Sequence, residues 1–143
     1  MSLKQIAIFV ENRPGALTEI TDVMAESGVD IRALSISETQ DFGILRMIVN
    51  DLPAAQAALT EAKCVYSIND VVGVEIPDSA GSMAKVIRIL ANESINIEYV
   101  YAFVGNSGKN AWVVIRVKDN EKAENVLKDN GYRVFCDADI KNI

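Results

Sequence analysis

Ile6-Ala7-Ile8-Phe9-Val10-Glu11-Asn12-Arg13-Pro14-Gly15-Ala16-Leu17 changes its pattern halfway along. Up to Val10 one parity is apolar, the period of a strand with one buried face. Asn12-Arg13-Pro14-Gly15 breaks that period, and Leu17, Ile20, Val23 and Met24 resume at helical spacing. Gly28, just past the last of these, is a helix stop signal. The same sequence of events recurs 66 residues later. Ile6, Ile8 and Val10 fall on Val72, Val74 and Ile76, and Gly15 falls on Gly81. Ile20, Val23 and Met24 fall on Val86, Ile89 and Leu90, and Val29-Asp30-Ile31 falls on Ile95-Asn96-Ile97.

Outward from that stretch the rest of each copy follows. Ile31 to Glu38 alternates again, Gln40-Asp41-Phe42-Gly43 is a turn, and Ile44 to Val49 returns as the second strand of a hairpin. Asp51 can cap a second helix with Pro53 in its first turn, and Ala55, Ala58, Leu59 and Ala62 form its stripe. A short strand at 65–68 closes the copy. In the second copy the offset grows to 68, so that Leu45, Met47 and Val49 fall on Val113, Ile115 and Val117, and Asp51 on Asp119. Its elements read as strand 70–76, helix 81–93, strand 97–104, strand 111–117, helix 120–130 and strand 132–139. The order is βαββαβ twice. The fold class is α+β: two ferredoxin-like domains in tandem, residues 1–69 and 70–143, each an antiparallel sheet with helices on one face. The join Asn69-Asp70-Val71 has no linker composition, so the copies are expected to pack as one unit.

Side chains alternate across a strand. The helix-facing set in the second copy is then Val100, Ala102, Val113, Ile115 and Val117. The outward set is Tyr99, Tyr101, Phe103, Trp112 and Val114, which holds four of the nine aromatics. In the first copy the outward face carries Ala7, Phe9, Ala33, Ser35, Ser37, Ile44 and Ile48. A contiguous apolar face of this kind is expected to be covered, between copies or between chains. A base-stacking platform would need flanking cations, and this region offers only Lys109 and Arg116.

Composition removes whole classes of function. The 143 residues contain no histidine, hence no His-based acid–base or nucleophile pair and no His ligand for zinc. Cys64 and Cys136 lie 72 residues apart and make no metal cage or CxxC motif. They read as small core or strand residues. The net charge of −6 argues against a sequence-independent nucleic-acid binder. No apolar run approaches the length of a membrane span, and Met1-Ser2-Leu3-Lys4-Gln5 opens no signal peptide. The expectation is a cytoplasmic protein without metal or cofactor.

The loop after the first strand is the candidate site. At a helix start the first N–H groups lack partners and the dipole is positive, which suits a carboxylate or phosphate. Gly15 allows close approach of a ligand, Pro14 stiffens the entry, and the Asn12 amide offers both donor and acceptor. A plainer role is equally open: Asn12 or Asp78 caps its helix, and Pro-Gly is only a turn.

The strand–Asn12-Arg13-Pro14-Gly15–helix opening, the Gly28-Val29-Asp30-Ile31 that follows the helix, and the βαββαβ order resemble the ACT domain, a family of small regulatory modules that bind amino acids and related metabolites. The resemblance spans the chain as two copies. The second departs from the pattern, with Asp78 for the Asn, Ala80 for the Pro, Ser94 for the Gly and Asn96 for Asp30. A carboxylate at Asp78 would repel an anion and could hold an ammonium group. The resemblance implies ligand contacts from Asn12, Arg13, Pro14, Gly15, Ala16 and Leu17, and from Asp78, Ser79, Ala80, Gly81, Ser82 and Met83 in the second copy. It implies a non-catalytic sensor of a free amino acid in bacterial-type amino-acid metabolism. It also implies an enzyme partner to regulate, while the face carrying Tyr99, Tyr101, Phe103 and Trp112 gives the expectation of a homo-oligomer, a dimer or higher. The alternatives are a small hydrolase of acylphosphatase type, for which Asn12 and Arg13 would hold phosphate, and a purely structural interaction module.

Overall fold

A computed structural model describes residues 2–104 and 110–141. Lys109 and the two chain ends, Met1 and Asn142-Ile143, lie outside the described residues. The chain forms two compact units. One is Lys4–Asn69, and the other holds the described residues from Asp70 to Lys141 together with Ser2 and Leu3.

The first unit contains β1 (Leu3–Glu11), α1 (Ala16–Glu26), β2 (Ile31–Glu38), β3 (Phe42–Val49), α2 (Leu52–Glu61) and the start of β4 (Tyr66–Pro77). The strand order is β2-β3-β1-β4, with β1 and β2 each antiparallel to β3. Ile6, Ile8 and Val10 of β1 and Leu45, Met47 and Val49 of β3 face Ile20 and Met24 of α1 and Ala55 and Leu59 of α2 in one core. Both helices therefore cover the same face, as the strand parity requires.

The second unit contains the rest of β4, then α3 (Ser82–Asn92), β5 (Tyr99–Ala102), β6 (Asn110–Arg116), α4 (Asn120–Asp129), β7 (Arg133–Phe135) and α5 (Asp137–Ile140). Its order is β7-β4-β6-β5, the same topology as the first unit. Its core pairs Val72, Val74, Ile76, Val113, Ile115 and Val117 with Val86 and Leu90 of α3 and Ala123 and Leu127 of α4.

The helix ends repeat more faithfully than the sequence does. Asp51 Oδ1 accepts from Ala54 N and Asp119 Oδ1 from Lys122 N, each at 3.1 Å, so α2 and α4 are capped alike. At the C-termini, Gly28, Lys63, Ser94 and Gly131 all take left-handed backbone, with φ of 70, 59, 58 and 85°. The following N–H returns to the carbonyl five residues back at 3.0 Å in every case: Val29 to Met24, Cys64 to Leu59, Ile95 to Leu90 and Tyr132 to Leu127. Each copy thus keeps one glycine and one side-chain-bearing residue at this strained position, in opposite helices.

Four expectations change. The strands expected at 65–68 and 70–76 are one element, β4, because Asn69-Asp70 contains no residue that forces a turn. The strand expected at 132–139 stops at Phe135. There Cys136 turns the chain into α5, with Asp139 Oδ2 accepting from Cys136 N at 2.9 Å and Asp139 Oδ1 from Arg133 Nη2 at 3.0 Å. The strand expected at 97–104 shortens to Tyr99–Ala102. Val100 and Ala102 do pair with Ile115 and Val113 on the helix side, but β5 is an edge strand and both are exposed, Val100 by 39%.

The outward face of the second unit is filled by its own C-terminal strand. Trp112 is only 5% exposed and Phe135 1%. Their rings stack with centroids 4.3 Å apart and 24° between planes, and Phe103 meets both edge-on. Trp112 Nε1 donates to Glu75 Oε1 at 2.8 Å, and the Arg133 guanidinium lies 5.5 Å over the Trp112 ring. Tyr99 and Tyr101 stack beside them, half-buried.

Candidate functional site

The two candidate loops open their helices in the same way. Gly15 and Gly81 are the N-cap residues of α1 and α3, with φ of 88 and 87°, and neither helix has a side-chain cap. The plainer role for Asn12 and Asp78 as helix caps is therefore excluded. Left-handed backbone at these points favours glycine and aims the chain into the helix without a side chain over its first N–H groups.

Asn12 acts across the loop instead. Its Nδ2 donates to Glu38 Oε2 at 3.2 Å and lies 3.4 Å from the Thr39 and Gln40 carbonyl oxygens, while its backbone N–H meets Asp41 O at 2.9 Å. The loop is thus tied to the β2–β3 turn, a relationship that the sequence does not signal. Arg13 is engaged as well. Its Nε meets Glu11 Oε2 at 2.9 Å, and its Nη2 meets the two Glu19 carboxylate oxygens at 3.1 and 3.2 Å. Those hydrogen bonds, Glu19 first and Glu11 next, raise the guanidinium pKa above its usual value.

The predicted residues split by direction. Asn12, Arg13, Pro14 and Gly15 are exposed, whereas Ala16 is buried and Leu17 packs against the first core. The Ala16 N–H itself meets Arg13 O at 3.3 Å, closing the loop. In the second copy Asp78, Ser79, Ala80 and Gly81 are exposed, Ser79 Oγ lies 2.9 Å from Ser82 Oγ, and Met83 packs against the second core. The cation moves between copies. Ser79 stands where the first copy has Arg13, and Lys85 where it has Glu19. Lys85 lines a cavity of about 360 Å³ with Glu75, Asn110, Asn130, Tyr132 and Arg133.

No group of His, Cys, Asp or Glu among the described residues is placed to hold a metal ion. Cys64 and Cys136 are unpaired thiols, and burial raises the Cys64 pKa. No helix among the described residues is long and apolar enough to cross a membrane.

Two βαββαβ units in tandem, each with a glycine-opened first helix, define a paired ferredoxin-like architecture. The chain belongs to the ACT domain pair family, whose model matches residues 1–143. Among solved structures it is similar to protein BT0572 from Bacteroides thetaiotaomicron, with 40% identity, a TM-score of 0.90, and coverage of 100% of this chain and 98% of that one. It shares its fold with the regulatory subunit of aspartate kinase from Thermus thermophilus in its ligand-free form, at 18% identity, a TM-score of 0.66 and 90% and 91% coverage. The corresponding subunit from Thermus flavus aligns at 18% identity, a TM-score of 0.57 and 90% and 92% coverage. No curated protein matches the chain.

Proposed function

We propose that this protein is a non-catalytic sensor that binds a free amino acid at the loop Asn12–Leu17 and passes its state to an enzyme partner. Membership of the ACT domain pair family supports a small-molecule-binding regulatory role. The observation that carries the loop assignment is the start of α1, where Gly15 is left-handed and no side chain occupies the cap. A ligand carboxylate there meets N–H groups and the positive end of the dipole. Its ammonium group meets carbonyls or a side-chain oxygen. Asp78 gives the second loop a different preference, for the ammonium end. A homodimer and a regulated enzyme in amino-acid metabolism belong to the same reading, as does a place in the cytoplasm.

A thermal-shift screen of the twenty amino acids tests it. At 100 Kd of ligand the folded state gains about 2.7 kcal/mol, which a melt resolves. Gly15→Val removes the gain, because a β-branched side chain blocks the approach to the loop and resists left-handed backbone. The sensor reading fails if no amino acid at millimolar concentration moves the melt. The acylphosphatase alternative is disfavoured by Arg13, which already spans Glu11 and Glu19 and would have to break both pairs to hold phosphate.

A further inference from the structure

Where the first copy is apolar, the second is polar, at positions that meet in one place. Strand register fixes the correspondence. Pro77 pairs with Asn110 as Glu11 pairs with Phe42, and Glu75 meets Arg133 as Phe9 meets Val65. The matching left-handed residues Gly131 and Lys63 then set Asn130 on Ala62 and Tyr132 on Cys64. Phe9, Phe42, Ala62, Cys64 and Val65 of the first copy are thus Glu75, Asn110, Asn130, Tyr132 and Arg133 in the second. Near the start of the helix the sign also reverses, from Glu19 to Lys85. All six replacements line the cavity of about 360 Å³. Scattered changes of surface residues would not converge in this way.

Lys85 is the charge left over. In the first copy Glu19 is held by Arg13. With Ser79 in the place of Arg13, the Lys85 ammonium has no ion pair or hydrogen bond among the described residues. Glu75 and Arg133 are matched already. Glu75 Oε1 accepts from Trp112 Nε1 at 2.8 Å and lies 3.7 Å from Arg133 Nη1, and Arg133 Nη2 meets Asp139 Oδ1 at 3.0 Å. Asn130 Nδ2 donates to Val126 O at 2.8 Å, which leaves its Oδ1 to accept. Asn110 and Tyr132 add an amide and a phenol, groups that both donate and accept. Lys85, Asn110 and Asn130 are exposed, so the cavity is open to solvent on their side. The first copy supports the placement of the helix residue: burial first, and the Glu19 charge second, raise the pKa of Cys64, and these two are the counterparts of Lys85 and Tyr132.

We infer that this cavity is a second ligand site, one that takes a monocarboxylate carrying several hydroxyl groups, a sugar acid. Its carboxylate meets the Lys85 ammonium, a charge-assisted contact. Its hydroxyls, which donate and accept alike, meet Asn110, Asn130 and Tyr132. One unmatched cation beside the Glu75 carboxylate suits a single negative charge and disfavours the second charge of a phosphate. The volume falls within the roughly 300–1,000 Å³ of small-molecule sites. The site stands independently of the Asn12–Leu17 loop and of any amino acid bound there.

Sodium gluconate is the probe, added to the isotope-labelled full chain. Amide NMR shifts read it, as does the emission of Trp112, the only tryptophan, which contacts both Glu75 and Arg133. Saturable shifts are expected at Lys85, Asn110 and Tyr132. Glucose, which lacks the charge, and acetate, which lacks the hydroxyls, are expected to bind at least about tenfold more weakly. Lys85→Gln is expected to weaken gluconate about tenfold and to leave glucose and the melting temperature unchanged. Asn110→Phe, which installs the residue of the first copy, is expected to abolish the gluconate shifts. If that variant does not fold, Lys85→Gln alone decides. The inference is overturned if gluconate at about 10 mM, above the weakest affinity of interest, leaves these residues unmoved. Equal shifts with sodium chloride at the same concentration, tighter binding of inorganic phosphate, or equal gluconate affinity in Lys85→Gln overturn it as well.

Discussion

Phe135 lies against Gly73 so closely that a Cβ at residue 73 would come 2.5 Å from the Phe135 Cε2. A ring therefore packs directly on strand backbone, and a side chain at residue 73 must displace it. Gly73→Ala is expected to cost about 1–3 kcal/mol, the usual range for overpacking. The double variant Gly73→Ala/Phe135→Leu is expected to cost less than the sum of its parts, since contacting residues couple. Urea denaturation of the four proteins measures this. Additive losses would mean that the ring does not set the requirement for glycine.

The four left-handed helix ends make a signed prediction. Lys63→Gly and Ser94→Gly each relieve a positive φ that glycine adopts freely and are expected to stabilise by about 1 kcal/mol. Gly28→Ala and Gly131→Ala are expected to destabilise by about 1–2 kcal/mol. At either glycine a Cβ would meet nothing within 4 Å, so the effect is conformational and not steric. Thermal melts that showed no difference in sign between the two pairs would refute it.

Asn12→Ala removes the tie between the loop and the β2–β3 turn. The expected loss of ligand-free stability is about 1 kcal/mol, the net worth of a hydrogen bond of this kind. Calorimetry with an amino acid found in the melt screen then separates the two roles. A change in ligand-free melting temperature at constant Kd assigns Asn12 to the turn alone, and a change in both places it at the ligand too.

Asp139 titrates below its ordinary value, chiefly because the Cys136 N–H donates to it, with Arg133 adding to the effect. A depressed folded pKa gives stability that is present above the unfolded value, about 3.9, and is lost as pH falls through the folded one. Asp139→Asn is expected to lower the melting temperature at pH 7 and to converge with the parent protein in acid. Equal differences at both pH values would remove Asp139 from the linkage.

Glu124 shows the opposite sign. It is buried on α4, and burial raises its pKa, with Glu121 and Asp70 adding and Lys128 opposing. The raised value favours the folded state below the unfolded pKa, about 4.3, and that advantage is lost as pH rises through the folded value. Glu124→Gln is expected to raise the melting temperature at neutral pH and to make little difference near pH 4. A melting temperature lowered at neutral pH would show that the carboxylate has a partner worth more than its desolvation.

The alternation around Ile6, Ile8 and Val10, the helical spacing from Leu17 to Met24 and the 66-residue echo were sufficient to read βαββαβ twice and most of both cores, Val100 and Ala102 on the edge strand excepted. These features are local: a period of two or 3.6 residues states which side of an element is apolar, and core burial follows that side. Asp51 and Asp119 as caps were legible for the same reason, since a cap acts within three residues of its helix. What covers the outward faces was decided only by tertiary structure. Strand parity places Trp112 and Phe9 on equivalent surfaces, yet Trp112 is buried under Phe135 and Phe9 is open. The difference comes from residues that meet across strands far apart in the chain, Gly73 with Phe135 and Ala7 beside Ser67. The hold of Asn12 on Glu38, 26 residues away, is of the same kind. Register between strands brings such pairs together, and no period within either strand records it.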